Sequence, residues 1–306
     1  MNLLFKNRWH RNYYIRRYLY GPVLSTTTRL LYGARVLIPA VLYRLDRPIF
    51  VVGVSGSGTT VFVDHFGRHR DVCNWSEAAQ IFDLKFYMRE RETLKDHEPL
   101  APFDAFRMRC LFGLKTRLTR KRRFVNKHPE NSLRMRYLLK AFPDALFVHL
   151  IREGRATVES NYSRTLRDPF RTHWPFGQFP KPPKWREYLS LPLVEQFARQ
   201  WVDVIEHIRQ VANAERLVDS RYLEVRYEKF CDSPRQVLEL ADAFCGLSPA
   251  RRDYAMIGDG LSDQNQRWRA TLSADQIIRI DSIVSELNHA LGYASHAAAP
   301  GTCLEA

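Results

Sequence analysis

The segment 49–66 constrains the fold of this chain more than any other. An almost continuous apolar run, Ile49-Phe50-Val51-Val52-Gly53-Val54, leads into Ser55-Gly56-Ser57-Gly58-Thr59-Thr60 and then into a stretch with helical spacing to 66. An apolar run bounded by Pro48 and a Gly/Ser turn reads as a strand buried on both faces, the kind that parallel sheets use. A glycine-rich turn from such a strand into a helix lets backbone N–H groups converge on an anion at the positive end of the helix dipole. The segment therefore predicts an α/β fold, a P-loop-like parallel sheet flanked by helices, with a phosphate or sulfate cradle at its centre. The spacing fits GxxxxGK[ST] except that Thr59 stands where the lysine belongs. Phosphoryl transfer from ATP uses that lysine against the β and γ phosphates, so a P-loop nucleotide kinase is disfavoured and stays as an alternative.

Downstream, short apolar runs alternate with amphipathic stretches, as in βαβ units. Further strands are expected at 123–126, 145–151 and 222–226, and helices at 132–141, 153–166, 192–214, 235–244 and 274–291. Residues 168–185 hold five prolines and the aromatics Phe170, Trp174, Phe176, Phe179 and Trp185, a composition suited to a lid or substrate wall. Three parts follow: an extension 1–47, a single domain 48–292 and an Ala-rich tail 293–306.

Charge separates the extension from the domain. The 306 residues carry 47 Lys and Arg against 33 Asp and Glu, a net of +14 that predicts an acidic partner. Residues 1–47 contribute nine cations against Asp46, and residues 115–136 contribute nine against Glu130. The rest of the chain is slightly acidic. The first block interleaves Trp9, Tyr13, Tyr14, Tyr18, Tyr20, Tyr32 and Tyr43 with its arginines. It has no apolar stretch of the roughly 20 residues a spanning helix needs and no signal-peptide pattern. It reads as a basic helical arm, either solvated or packed, or as a peripheral contact with an anionic membrane. Five cysteines without a CxxC pair read as free thiols in a reducing compartment, hence a cytoplasmic protein, membrane-associated if the arm binds lipid. No metal site is expected.

A second anion site is legible at Arg152, where an apolar strand ends at the carboxyl edge of the sheet. Ser160 and Arg164 lie one turn apart on the helix that follows. Two guanidiniums and a hydroxyl converging on one point suit a dianionic phosphate.

Together the two sites resemble those of the sulfotransferases that use 3′-phosphoadenosine 5′-phosphosulfate (PAPS), bacterial and tyrosylprotein or carbohydrate types above all. The resemblance extends through Asn126-Lys127-His128-Pro129, Phe142-Pro143-Asp144, Val225-Arg226-Tyr227-Glu228 and Trp268-Arg269. It implies that Ser55, Gly56, Ser57, Gly58, Thr59 and Thr60 cradle the 5′-phosphosulfate. Arg152, Ser160 and Arg164 would hold the 3′-phosphate, Tyr227 the adenosine, and Arg267 or Arg269 would add a late cation. Lys127 would stabilise charge near the bridging oxygen. Glu77 would be the base that takes the acceptor's proton, with His128, His65 and His149 as alternatives; Glu77 also reads as a first-turn helix acid with Ser76 as its cap. The family's usual Arg or Lys two positions before the loop glycine is replaced here by Gly56. The expected activity is sulfuryl transfer from PAPS, without metal, to a hydroxyl or amine of a carbohydrate, lipid or tyrosine. A catalytically degenerate relative that binds membrane or nucleic acid is the further alternative.

Overall fold

The computed structural model describes residues 45–77, 96–167, 180–254 and 261–293, with Leu30, Ile81 and Ile257. The expectations for 1–44, for the aromatics of 168–179 and for 294–306 lie outside the described residues.

Five strands, β1 (Ile49–Gly53), β2 (Val72–Asn74), β3 (Arg123–Lys127), β4 (Leu146–Ile151) and β5 (Tyr222–Arg226), form one all-parallel sheet in the order β2-β3-β1-β4-β5. β1 lies at the centre, with Ile49 opposite Val125 on one side and Leu146 on the other. All five of its residues are buried, so its lack of apolar alternation has a direct cause: both faces are covered. Ile49 and Val51 pack on α1 (Thr59–Phe66) and, across the same face, on the helix Pro234–Cys245. Phe50 and Val52 face a larger cluster built from helices that include α2 (Pro102–Leu118), α3 (Met135–Ala141), α4 (Gly154–Arg167) and α5 (Leu193–Ala214). The chain leaves β1 for one side of the sheet and reaches β4 on the other, so the carboxyl end of β1 is a topological switch point, where open α/β sheets bind ligands. Beyond β5 come α6 (Tyr227–Asp232), α7 (Pro234–Cys245), α8 (Trp268–Thr271) and α9 (Ala274–Ala290).

Several elements depart from their expected form. The strand β2 and the helix α2 carry no clear period. In α2, Arg107 and Thr116 are buried while Leu114 and Leu118 are exposed, which blurs the apolar stripe. The helix expected at 132–141 is a 3-10 turn, Pro129–Leu133, followed by α3. The break follows from Ser132, whose hydroxyl donates to Gly53 O at 3.0 Å and accepts from Gly53 N at 2.9 Å, pulling that turn against β1. Trp185, expected in a substrate wall, is instead fully buried in the main core. Much of the second basic block is structural: Arg123 donates to the α7 terminus at Cys245 O (2.5 Å) and to Asp46, Arg136 pairs with Glu215, and Lys115 sits 4.3 Å over the Trp75 ring.

Arg252 ties the glycine-rich loop's helix to the rest. Its guanidinium forms a bidentate pair with Asp242 of α7 and donates to His65 O and Phe66 O at the end of α1. Both charges are buried. His128 is also fully buried just after β3, where Nδ1 accepts from Glu130 N at 3.3 Å. Burial lowers its pKa to about 4. His149 is lowered in the same direction by burial, within a chain in which its Nδ1 lies 2.6 Å from Tyr222 Oη and Tyr222 donates to Glu224.

Asp242→Ala should cost about 3–5 kcal/mol by leaving Arg252 buried without its counter-charge; a urea midpoint within experimental error of wild type would refute this. The folded state keeps His128 neutral, whereas the unfolded chain protonates it near pH 6.5. Unfolding therefore takes up a proton, and stability falls as pH drops from about 6.5 towards about 4. His128→Gln should shrink the stability difference between pH 7 and pH 5 by about 2 kcal/mol, and equal differences in both proteins would exclude the effect.

Candidate active site

The carboxyl ends of β1, β2, β3, β4 and β5 all meet one open cleft. From β1 it receives Ser55, Gly56, Gly58, Thr59, Thr60 and Val61; from beyond β2, Glu77; from β3, Lys127 and Pro129. Arg152, Ser160 and Arg164 come from β4 and α4, and Tyr227 from the start of α6. Eleven residues singled out in the sequence thus line one cavity.

The loop is shaped by two left-handed glycines. Gly58, at φ 85°, is the N-cap of α1 and offers no side chain to the first-turn N–H groups. A Cβ there would overlap the Tyr227 ring. Gly56 has φ 88°, and a Cβ there would lie 3.0 Å from Asn161 Oδ1 and 3.2 Å from Thr157 O. A side chain at position 56 would strain the left-handed backbone and crowd Asn161 and Thr157, which fits the departure noted in the sequence. The loop carbonyls are engaged: Asn161 Nδ2 donates to Ser55 O at 2.8 Å and Arg152 Nη1 to Gly56 O at 3.0 Å. Ser57 turns inward, its hydroxyl donating to Val54 O at 2.7 Å, and its side chain does not face the cleft.

Arg152 is 4% exposed. Its Nε donates to Asn265 Oδ1 at 2.7 Å, and its guanidinium lies 4.4 Å over the Tyr227 ring. Nη2 is buried and has no hydrogen-bond partner. An unpaired buried guanidinium nitrogen is costly, and here it belongs to a residue that lines an open cleft beside an uncapped helix N-terminus. The residues thus fit an anion. Burial, with a hydrogen bond to Cys231, pushes the Tyr227 phenol up to about 12, so the ring stays neutral under the guanidinium. Ser160 Oγ lies 3.5 Å from Arg164 Nη2 at the cleft's far wall.

Across the cleft, Lys127 Nζ meets Glu77 Oε1 at 2.8 Å, with the lysine side chain 3% and the glutamate 34% exposed. The Glu77 N–H also donates to Lys127 O at 2.7 Å, and Glu77 has φ 52°. The helix-cap reading of Ser76 is thereby corrected, since its hydroxyl donates to Asn74 Oδ1 and Glu77 stands in a left-handed turn. Strained backbone held by neighbours is typical of functional positions.

Other sequence candidates lie elsewhere. His128 is buried away from the cleft, His149 sits inside the sheet, and His65 rests edge-on against Phe230. Arg267 is exposed, 3.7 Å from Glu159, and Arg269 lies over Trp268; neither lines the cleft. The supports of Arg152 were not legible. Asn265 Nδ2 donates to Glu228 Oε1, which also accepts from Glu153 N, while Tyr293 donates to Glu228 Oε2. No local spacing signals these partners.

The Sulfotransferase family profile matches residues 48–251, two thirds of the chain. Protein-tyrosine sulfotransferase 1 of Danio rerio is 27% identical over 156 residues, covering 47% of this chain and 44% of the relative, so the match spans less than half of that protein. Among solved structures, sulfotransferase STF1 from Mycobacterium tuberculosis H37Rv superposes with a TM-score of 0.59 at 16% identity, covering 91% of this chain and 85% of that one. Sulfotransferase STF9 from Mycobacterium avium gives a TM-score of 0.53 at 14% identity, with 86% and 82% covered. These likenesses concern the fold, while the profile match carries the assignment: this chain belongs to the sulfotransferase family.

Proposed function

We propose that this chain moves a sulfuryl group from PAPS to a hydroxyl or amine of an acceptor. The observation that carries this reading is the buried, unpartnered Nη2 of Arg152 in the same cleft as the uncapped N-terminus of α1. Two separate anion sites in one cleft match a donor with two anionic ends. The N–H groups around Gly58 and Thr59, with Thr60, would take the 5′-phosphosulfate; Arg152, Ser160 and Arg164 would take the 3′-phosphate, and Tyr227 would flank the adenosine. When bound, the donor supplies the sulfuryl group and leaves as adenosine 3′,5′-bisphosphate.

Glu77 accepts the acceptor's proton as its oxygen or nitrogen bonds to sulfur. Lys127, held 2.8 Å from Glu77, donates to the oxygen on which negative charge gathers as the old S–O bond breaks. With no cation at position 56, Lys127, Arg152 and Arg164 supply the positive charge that faces the cleft. Carbohydrates, lipids and tyrosine all carry suitable groups, and the similarity to a protein-tyrosine sulfotransferase makes tyrosine peptides the first acceptors to assay. The basic segment 1–47 is read as a contact with an anionic surface, separate from the donor site.

Arg152→Ala should weaken adenosine 3′,5′-bisphosphate binding roughly a hundredfold in calorimetry while leaving the weaker binding of AMP almost unchanged. Asn265→Ala should fall between that variant and wild type. Glu77→Gln should keep nucleotide affinity and lower transfer of labelled sulfate about 10²–10⁴-fold. Preserved discrimination in Arg152→Ala, or full turnover in Glu77→Gln, would overturn these assignments.

A further inference from the structure

The amino-terminal edge of the sheet, opposite the cleft, carries an unusual surface. The loop between α1 and β2 presents Arg68 and Arg70, and the turn from α2 into β3 presents Arg117, Arg120 and Arg122, all five exposed. The two segments are clamped together: Lys121 Nζ donates to Arg70 O at 2.6 Å and Arg122 N to Asp71 O at 2.9 Å. The acid between them, Asp71, is buried and paired with Arg251 at 2.8 Å. Five exposed arginines on one face make it electropositive, a surface suited to a polyanion.

The same face carries apolar side chains. Leu118 is 75% exposed and Leu114 48%, one turn apart on the last turns of α2. Leu114, Arg117 and Leu118 follow the i, i+3, i+4 spacing of a single helix face. Leucines flanked by arginines match a bilayer surface, with the guanidiniums among the headgroups and the leucines at the acyl boundary. A nucleic-acid backbone would pair with the arginines but offers the leucines no partner. The described chain begins its run into β1 at Leu45 on this same edge, where Asp46 accepts from Arg123. The residues before it, 1–44, carry eight cations and no acid, so the charge of this edge continues into the preceding chain.

We infer that this edge docks the protein on an anionic lipid surface. The five-residue central strand separates it from the cleft by about 17 Å, so docking leaves the cleft facing water. The inference does not depend on the sulfuryl-transfer reading, because none of these side chains lines the cleft.

Flotation of the full-length chain with vesicles tests it. Binding should occur with 30% phosphatidylserine in phosphatidylcholine at 0.1 M NaCl, be absent with phosphatidylcholine alone, and fall at least tenfold at 0.5 M NaCl. Arg117→Glu with Arg120→Glu should lower the partition coefficient at least tenfold, at about fivefold per lost arginine. Leu114→Ser with Leu118→Ser should lower it several-fold while keeping the salt dependence. Thermal melts report folding, and Arg68→Glu with Arg70→Glu carries the same test if the first pair fails to fold. No flotation of wild type, or charge-reversed variants that float like wild type, would overturn the inference. So would a leucine variant that floats like wild type while a labelled DNA duplex displaces vesicles from the protein, which would mark the face as a nucleic-acid site.

Discussion

Burying a guanidinium demands a polar partner for each of its nitrogens, and around Arg152 that demand organises this molecule. Nε is met by Asn265 and Nη1 by the carbonyl of Gly56, while the Tyr227 face covers the flat of the group. Even the residue's own carbonyl is taken, by the indole N–H of Trp201 in α5 at 3.1 Å. Loop, strand end, central helix and carboxyl-terminal segment are thus tied to one side chain. Nη2 alone lacks a protein partner, a place that the proposed donor phosphate would fill.

The opposite wall works by a different constraint. Glu77 and Lys127 are joined twice, side chain to side chain and backbone to backbone, so the candidate base and the candidate cation form one rigid unit. The left-handed backbone of Glu77 is affordable because that double tie and the neighbouring Asn126, which donates to Trp75 O at 2.5 Å, hold the turn against β3. On the proposed reading, one wall recognises charge and the other moves a proton.

How much of this was legible in the sequence follows from how local each feature is. The glycine-rich loop, the strand ending at Arg152 and the pair Ser160 and Arg164 are set by spacing along one strand or one helix turn, and all of them meet in the cleft except the inward-turned Ser57. His128 misled because it adjoins Lys127, yet successive side chains at a strand end point to opposite sides, so a neighbour of an inward lysine turns away. Asn265, Glu228 and Tyr293 act across more than 35 residues of separation, and α2 hides its helical period behind a buried arginine and exposed leucines. The backbone sign of Glu77 has no signature in its residue type, since glutamate rarely adopts that region.

The tether between Arg152 and Asn265 spans 113 residues, and the helix that follows holds Gly154 through Asn288 and Glu153 through the same side chain. During synthesis the arginine leaves the ribosome about ten seconds before these partners exist, at roughly 10 residues per second. Until the last helix has docked, the strand end lacks its anchor and the charge has no fixed direction. The proposed nucleotide capture is therefore a late event in the life of each chain, and it would report that the whole domain, rather than its amino-terminal half, has reached its final form.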